Sequence, residues 1–270
     1  MSDLPIHHDG LEERRLGLTA PPMGMPCAAP MFPDNLMLDA NTIYNIAKSG
    51  KRSMRGVFGP EMIQSQGSHG SCNGFSEAEV LRKAILRKGI DCPPLSGAYA
   101  YSLMNNGQDN GSNLNVAMEK VAENGICLES TVGTNAIYRN QYDTAKADAE
   151  ATQRRGFERY ALTTIDSVFS ALALGFDVVV AVQVGNNFSR LDGNGFAGVS
   201  NGGGNHAMSS DGLLLVGGEV AADGVNHWTR SFGQDGRCYL GERHFEQTIT
   251  THCFYGVRSA RTLNELPAIQ

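Results

Sequence analysis

Residues 64–76 read Gln-Ser-Gln-Gly-Ser-His-Gly-Ser-Cys-Asn-Gly-Phe-Ser, and they place one thiol, that of Cys72, behind a glycine-rich turn. From Cys72 onward, apolar side chains recur at three- and four-residue steps until Gly89, which is the pattern of a helix followed by its stop signal. The positive end of a helix dipole lowers the pKa of a nearby thiol. The stretch therefore predicts a nucleophilic cysteine, against the ordinary alternative of a small buried side chain.

The composition bounds the class of protein. The 270 residues are 41% hydrophobic and 19% charged, and the 32 glycines exceed the usual share of about 7%. Such a chain can bury a sizeable core as one large domain or as two lobes. A net charge of −6 and the lack of a Lys/Arg-rich run argue against a nucleic-acid partner. The longest apolar region, residues 171–184, is too short and interrupted to span a membrane, so no membrane partner is expected.

Targeting signals and cysteine usage bear on the compartment. Residues 1–15 are polar and lack the apolar stretch of a signal peptide, which favours a cytoplasmic location or a place within a virus particle. The 6 cysteines show no CxxC spacing, so we expect neither a zinc site nor any other cofactor. Without a secretion signal, we expect the thiols to be reduced.

The chain divides into three parts by pattern. Residues 1–55 hold six of the 10 prolines and read as an extended arm that lies along its own body or along a partner. Residues 56–158 carry mostly helical patterns, including the helix that begins at Cys72. Residues 159–270 carry mostly strand patterns. Helices first and strands later predict an α+β fold with a helical lobe and a β-rich lobe. The predicted strands are 176–182, 206–216, 225–232, 237–240 and 252–257.

A nucleophilic thiol also needs an imidazole close in space. Among the 7 histidines, His206 has the most informative surroundings, because a glycine turn opens onto an apolar strand in residues 202–218, GGGNHAMSSDGLLLVGG. It follows Cys72 by 134 positions (206 minus 72).

These residues together resemble the papain family of cysteine peptidases. Residues 66–72, Gln-Gly-Ser-His-Gly-Ser-Cys, resemble the family's nucleophile motif, and residues 205–207, Asn-His-Ala, resemble its histidine strand. The separation of cysteine and histidine lies within the roughly 130–150 residues typical of the family. Further likenesses follow in order along the chain, at residues 95–99, 109–129 and 228–236.

The resemblance implies a papain-like two-lobed fold with the site in the cleft between a helical lobe and a β-rich, barrel-like lobe. It also implies peptide or protein substrates and no cofactor. Cys72 would attack the peptide carbonyl, and His206 would pair with it and protonate the leaving amine. The Gln66 side-chain amide and the Cys72 backbone N–H would form the oxyanion hole. Cys72 would then be the most reactive of the thiols.

One departure from the family concerns the asparagine that orients the histidine. Aligning Phe232 with the family's tryptophan puts Arg230 at the asparagine position. A guanidinium has five donors and no acceptor, so it cannot accept a hydrogen bond from the second ring nitrogen of His206. Either Arg230 stands at the site, or it is a surface residue. Asn226 and Ser231 are the alternative acceptors.

Three functions remain open at this level. The first is hydrolysis of peptide bonds by the Cys72–His206 pair, weakened by Arg230. The second is a catalytically decayed papain-like structural or binding protein that docks on a larger protein assembly, such as a virus particle, through its N-terminal arm. The third is acyl transfer by the same thiol. Residues 1–55 are too short and irregular for the helical inhibitory segment of the family, which favours the docking hypothesis.

Overall fold

The structure is a computed structural model that describes residues 4–8, 13–155 and 157–260. The α-helices of this part are α1 (Ala40–Ser49), α2 (Cys72–Leu86), α3 (Gly97–Ser102), α4 (Leu114–Asn124), α5 (Thr144–Ala151) and α6 (Ile165–Ala173). The strands are β1 (Ile6–His8), β2 (Glu13–Arg15), β3 (Phe157–Leu162), β4 (Asp177–Val182), β5 (His206–Val216), β6 (Glu219–Val225), β7 (Arg237–Leu240) and β8 (Phe254–Ala260).

Helix α2 lies at the centre of the molecule, with residues 72–85 all buried. It packs against α3 and α4 on the helical side and against β4, β5 and β8 on the sheet side. Two of its buried charged residues are paired, since Lys83 forms ion pairs with Glu79 and, at 2.6 Å, with Asp211 on β5. A helix enclosed on all sides needs no polar face, and its buried charges need partners. These pairs fix α2 against the sheet.

The main sheet has six antiparallel strands in the order β3-β8-β4-β5-β6-β7. Strand β4 is buried along its full length, and it pairs with β5 in the register Val182↔His206. The start of β5 therefore lies inside the sheet rather than at its edge. This arrangement of helices and an antiparallel sheet confirms the predicted α+β class. The division of the chain at residues 55 and 158 stays a prediction. Residues 261–270 of the predicted β-rich lobe lie outside the described part.

One predicted strand is wrong. The pattern of residues 225–232 predicted a strand, whereas β6 ends at Val225 and the chain then turns back on itself. The Asn226 N–H donates to the Gly236 carbonyl, at 2.9 Å, and Thr229 has a positive φ of 80°. Such a backbone conformation is rare for a β-branched residue and has no signature in the hydrophobic pattern.

The N-terminal arm lies along its own body. The Phe32 N–H donates to the Ala161 carbonyl at 3.0 Å, and Cys27 is joined to Cys253 by a disulfide. The expectation that all thiols are reduced is therefore wrong for these two, because the arm crosses the sheet where β8 begins and brings distant cysteines together. The free cysteines are Cys72, Cys92, Cys127 and Cys238. None of the helices in the described ranges is both long and apolar enough to cross a membrane.

Candidate active site

Cys72 begins α2 and is fully buried. The backbone N–H groups of Ala207 and Gly17 approach its sulfur and act to lower the pKa of the thiol. Ala207 directly follows His206, the first residue of β5. The start of α2, with Cys72, and the start of β5, with His206, therefore adjoin where the helix packs against the sheet.

His206 is held by one side of its ring. Its Nε2 lies 2.9 Å from Oδ1 of Asn226, and both residues are buried. An amide oxygen can only accept a hydrogen bond, so Nε2 carries the proton and Nδ1 keeps its lone pair. Nδ1 is buried and has no hydrogen-bond partner. The free nitrogen of the ring is thus available to accept a proton from a neighbouring thiol.

Trp228 covers the imidazole. Its ring centroid is 4.8 Å from that of His206, with 38° between the planes, and its side chain is fully buried. Phe188 and Phe232 pack edge-on against the indole. This aromatic cluster excludes water from the His206–Asn226 hydrogen bond, which strengthens that bond.

The loop that carries Asn226 and Trp228 is fixed to the nucleophile helix through the residue between them. Nε2 of His227 lies 3.0 Å from Oε2 of Glu79 on α2. The His227 carbonyl accepts a hydrogen bond from the Gln66 backbone N–H at 2.9 Å. His227 thus holds the loop against helix α2 and against the turn that precedes Cys72.

Of the two possibilities left open for Arg230, the structure has the surface residue. Arg230 is exposed in the turn after Trp228, and Asn226 is the residue that bonds to His206. Ser231, the other alternative, is exposed and bonds to Thr229 through its hydroxyl at 2.7 Å. The alignment failed because it matched Phe232 to the family's tryptophan. Asn226 stands two positions before Trp228, the single tryptophan of the chain, and this Asn-x-Trp spacing is the signal that identifies it.

Gln66 is fully buried in the turn before Cys72. Its Nε2 donates to the His69 carbonyl at 2.7 Å and, less closely, to the Arg15 carbonyl at 3.4 Å. The amide of the predicted oxyanion-hole donor is therefore engaged mainly within its own turn, and only weakly by the N-terminal arm.

The arm passes through the cleft directly over Cys72. Its residues 17–19 pair with both walls: the Ser112 N–H donates to the Gly17 carbonyl at 2.9 Å, and the Thr19 N–H donates to the Ser112 carbonyl at 3.0 Å. On the other wall, the Leu18 N–H donates to the Asn205 carbonyl at 3.2 Å. The arm thus lies in the cleft as an extended strand and not as a helix, and whether it inhibits stays a prediction.

Burial under the arm controls the charges at the site. Loss of water raises the pKa of the Cys72 thiol to about 11, and the surrounding backbone N–H groups oppose this shift only in part. Burial also lowers the pKa of His206 to about 3, against the hydrogen bond that the ring donates to Asn226, which raises it. At neutral pH the covered site therefore holds a thiol and a neutral imidazole. The lowered thiol pKa expected from the sequence does not hold in this state, because burial outweighs the helix N-terminus.

Comparisons with solved structures agree with this geometry. Xylellain, a cysteine protease from Xylella fastidiosa, matches with a TM-score of 0.67 and 17% identity, over 93% of this chain and 99% of that one. The chain has a papain-like fold. Digestive procathepsin L 3 of Tenebrio molitor matches with a TM-score of 0.61 and 18% identity, over 89% of this chain and 75% of that one. The bromelain protease of Ananas comosus matches with a TM-score of 0.53 and 19% identity, over 73% and 93%. No protein-family model and no curated protein sequence matches the chain.

In the described part of the chain, no three His, Cys, Asp or Glu side chains are placed to hold a metal ion.

Proposed function

We propose that the chain is a papain-like thiol peptidase that hydrolyses peptide bonds with Cys72, His206, Asn226 and Gln66. The observation that carries the proposal is the state of the His206 ring. Nε2 is held by Asn226 at 2.9 Å, Nδ1 has no hydrogen-bond partner, and the backbone of the next residue along the strand approaches the Cys72 sulfur. These observations support a nucleophile, a base and a group that orients the base acting together in one cleft.

The reaction follows from this arrangement in two halves. In the first, Nδ1 of His206 takes the Cys72 proton, the sulfur attacks the peptide carbonyl, and the C–N bond breaks as the imidazolium returns the proton to the leaving amine. In the second, His206 takes a proton from water, whose oxygen attacks the thioester. The acid product leaves, and the proton restores the thiol. The Gln66 side-chain amide and the Cys72 N–H stabilise the oxyanion in both halves.

Asn226 contributes by orienting the base. Its carbonyl oxygen fixes the ring rotation and stabilises the imidazolium formed during each half-reaction, because Nε2–H donates to it in both protonation states. With Asn226 in this place, the argument that Arg230 impairs catalysis no longer applies. Because the doubt about catalysis came from Arg230, the case for a catalytically decayed docking protein is also weaker.

The test is release of new amino termini from a denatured protein substrate by the purified chain, over long incubations because the arm covers the site. We expect release by the native chain, none by Cys72→Ala, and undiminished release by Arg230→Ala. If neither the native chain nor a variant with a displaced arm releases any termini while its fold is intact, the peptidase proposal is wrong. The structural or docking role on an assembly should then be pursued.

A further inference from the structure

His227 connects the loop beside His206 to the helix of the nucleophile. Its neighbours in the chain both contact His206: Asn226 through the hydrogen bond at 2.9 Å, and Trp228 through its ring, with 4.8 Å between centroids. His227 itself contacts α2 instead, because its Nε2 lies 3.0 Å from Oε2 of Glu79. Three consecutive side chains thus join His206 to Glu79 through one short piece of backbone.

Glu79 is a fixed acceptor for this bond. It is 3% exposed, and its other oxygen, Oε1, accepts from Lys83 on the same helix and from the Ser209 hydroxyl on β5. Lys83 in turn pairs with Asp211 at 2.6 Å, and Asp211 pairs with Arg237 on β7 at 2.9 Å. A carboxylate held by three donors has little freedom to move, so Glu79 is anchored to both the helix and the sheet.

Glu79 is ionised in this network. Burial raises the pKa of a carboxyl, but the positive charge of Lys83 and the hydrogen bond from His227 outweigh burial and hold the pKa of Glu79 well below its ordinary value. A carboxylate can only accept hydrogen bonds, so Nε2 of His227 carries the proton and donates to it. Nδ1 of His227 is buried and has no hydrogen-bond partner among the described residues. The imidazole of His227 therefore directs its hydrogen bonding at Glu79.

The pair does more for geometry than for stability. His227 is fully buried, and the cost of removing a carboxylate from water offsets much of what its bonds contribute. An apolar side chain would suit the same space, since the Phe75 ring lies against that of His227 with 6.0 Å between centroids. What the polar pair adds is one preferred arrangement, because a hydrogen bond weakens steeply when its angle departs from linearity.

We propose that Glu79 is a positioning residue of the site, which acts through His227 to fix the loop that orients the ring of His206. Its effect on catalysis rests on the proposed function, whereas its effect on the hydrogen bond between His206 and Asn226 does not. Glu79 and His227 lie behind the loop, against α2, so they act through Asn226 and Trp228 and touch no reacting atom.

The first experiment follows the Nε2 proton of His206 by NMR and needs no activity. In protein with isotopically labelled histidine, the signal is identified by its absence from His206→Ala, and its exchange rate with water is measured. We expect exchange about tenfold faster or more in His227→Phe, which keeps a ring but has no donor. His227→Gln should stay close to the native rate, because its amide N–H can still donate to Glu79. Equal rates in all of these proteins, or a native proton that exchanges too fast to observe, would overturn the proposal.

His244→Phe is the matched control. His244 is also a buried imidazole with bonds at both nitrogens, because Nδ1 accepts from the Gly241 N–H at 3.0 Å and Nε2 lies 2.9 Å from the Ala197 carbonyl oxygen. Its replacement removes at least as much polar contact, yet the His206 proton should exchange at the native rate. Equal acceleration in His244→Phe and His227→Phe would show a general loss of stability and would contradict a specific role.

Glu79→Asp replaces His227→Phe if the latter does not fold. The shorter side chain keeps the negative charge beside Lys83 but draws it back from His227, so the same faster exchange is expected. Iodoacetamide labels a buried thiol slowly. Labelling of Cys72 as slow as in the native chain, read by mass spectrometry, therefore shows that a variant keeps the native fold around the site.

The second experiment measures kcat and KM for peptide hydrolysis. His227→Phe should lower kcat by about 10- to 100-fold, the effect that a displacement of about 1 Å can have, with little change in KM. His227→Gln should recover most of this loss. A higher KM with an unchanged kcat would contradict positioning. If the native chain hydrolyses nothing while the exchange rates behave as expected, the proposed function alone is refuted. If the native chain and His227→Phe hydrolyse with the same kcat, the positioning role alone is refuted.

Discussion

Nε2 of His206 and Oδ1 of Asn226 are 2.9 Å apart, although β6 and its turn with β5 lie between the two residues in sequence. The pair forms because β5 and β6 are antiparallel neighbours, which brings the residue after β6 back to the start of β5. The antiparallel pairing therefore supplies the orienting group at the place where the base begins its strand.

Asn226→Ala should lower kcat for peptide hydrolysis by about 10- to 10³-fold, since the ring loses the acceptor that orients it and stabilises its charge. A buried carboxylate in the same role is worth about 10⁴-fold, which sets the upper limit. KM should change little, because Asn226 lies behind the imidazole. Arg230→Ala, the control, should keep full activity, and the account fails if Arg230→Ala is the slower of the two enzymes.

Gln66→Ala should lower kcat by about 10²–10³-fold, the usual effect of removing one oxyanion-hole donor. Gln64→Ala is the matched control. Gln64 is a nearby glutamine of the same turn, and its amide donates to the Leu95 carbonyl at 3.0 Å. The measurement is the steady-state kcat of both variants on one fluorogenic peptide. Equal losses of kcat in the two variants would show that Gln66 has no specific role in the mechanism.

The sequence was sufficient where periodicity or a local motif carried the information. The helix beginning at Cys72, the strand beginning at His206 and the α+β class all follow from patterns of apolar residues. The loop after Val225 does not, since its course depends on a positive φ at Thr229 and on a main-chain bond to Gly236. Because the sequence does not reveal this loop, alignment through Phe232 assigns the orienting role to Arg230 instead of Asn226.

The covering strand was unpredictable for a different reason. Main-chain hydrogen bonds to Ser112 and Asn205 leave no mark on the side-chain sequence, and one glycine among 32 gives no warning of a steric requirement. The pairing of Cys27 with Cys253 was hidden in the same way, because it depends on where the arm crosses the sheet.

Glu77 on α2 predicts a pH dependence of stability. It is fully buried, neither carboxylate oxygen has a hydrogen-bond partner, and burial raises its pKa to about 8 against the opposing charge of Arg159. Between the unfolded value of 4.5 and about 8, the folded state binds more protons than the unfolded state. The contribution of Glu77 to stability is therefore present at acid pH and lost as the pH rises.

The measurement is urea unfolding of the native chain and of Glu77→Gln at pH 5 and pH 8. Relative to Glu77→Gln, the free energy of unfolding of the native chain should fall by on the order of 3 kcal/mol over this range. A difference between the two proteins that is the same at both pH values would show that Glu77 does not titrate between them.

Removal of the disulfide should destabilise the fold without opening the site. The Cys27→Ser, Cys253→Ser chain should lose about 2–4 kcal/mol of unfolding free energy, because the bond closes a loop spanning most of the chain. The covering strand is held separately by Arg14 and by its main-chain bonds, so Cys72 labelling should stay slow. Fast labelling in this variant would mean that the disulfide itself keeps the strand in place.

The central claim is that Cys72 and His206 form a nucleophile–base pair once the arm has left. Entry of water should then remove the burial that raises the Cys72 pKa to about 11 and lowers that of His206 to about 3, and each charged form should stabilise the other. The direct test is the pH dependence of Cys72 alkylation in Gly17→Val, with and without His206→Ala. A Cβ at position 17 would lie 1.8 Å from the Gly70 carbonyl oxygen, so valine there should displace the arm. We predict a thiolate that persists at pH 6 with His206 present, and a rate that falls tenfold per pH unit below about 8.5 without it. Identical profiles in the two proteins would contradict the account.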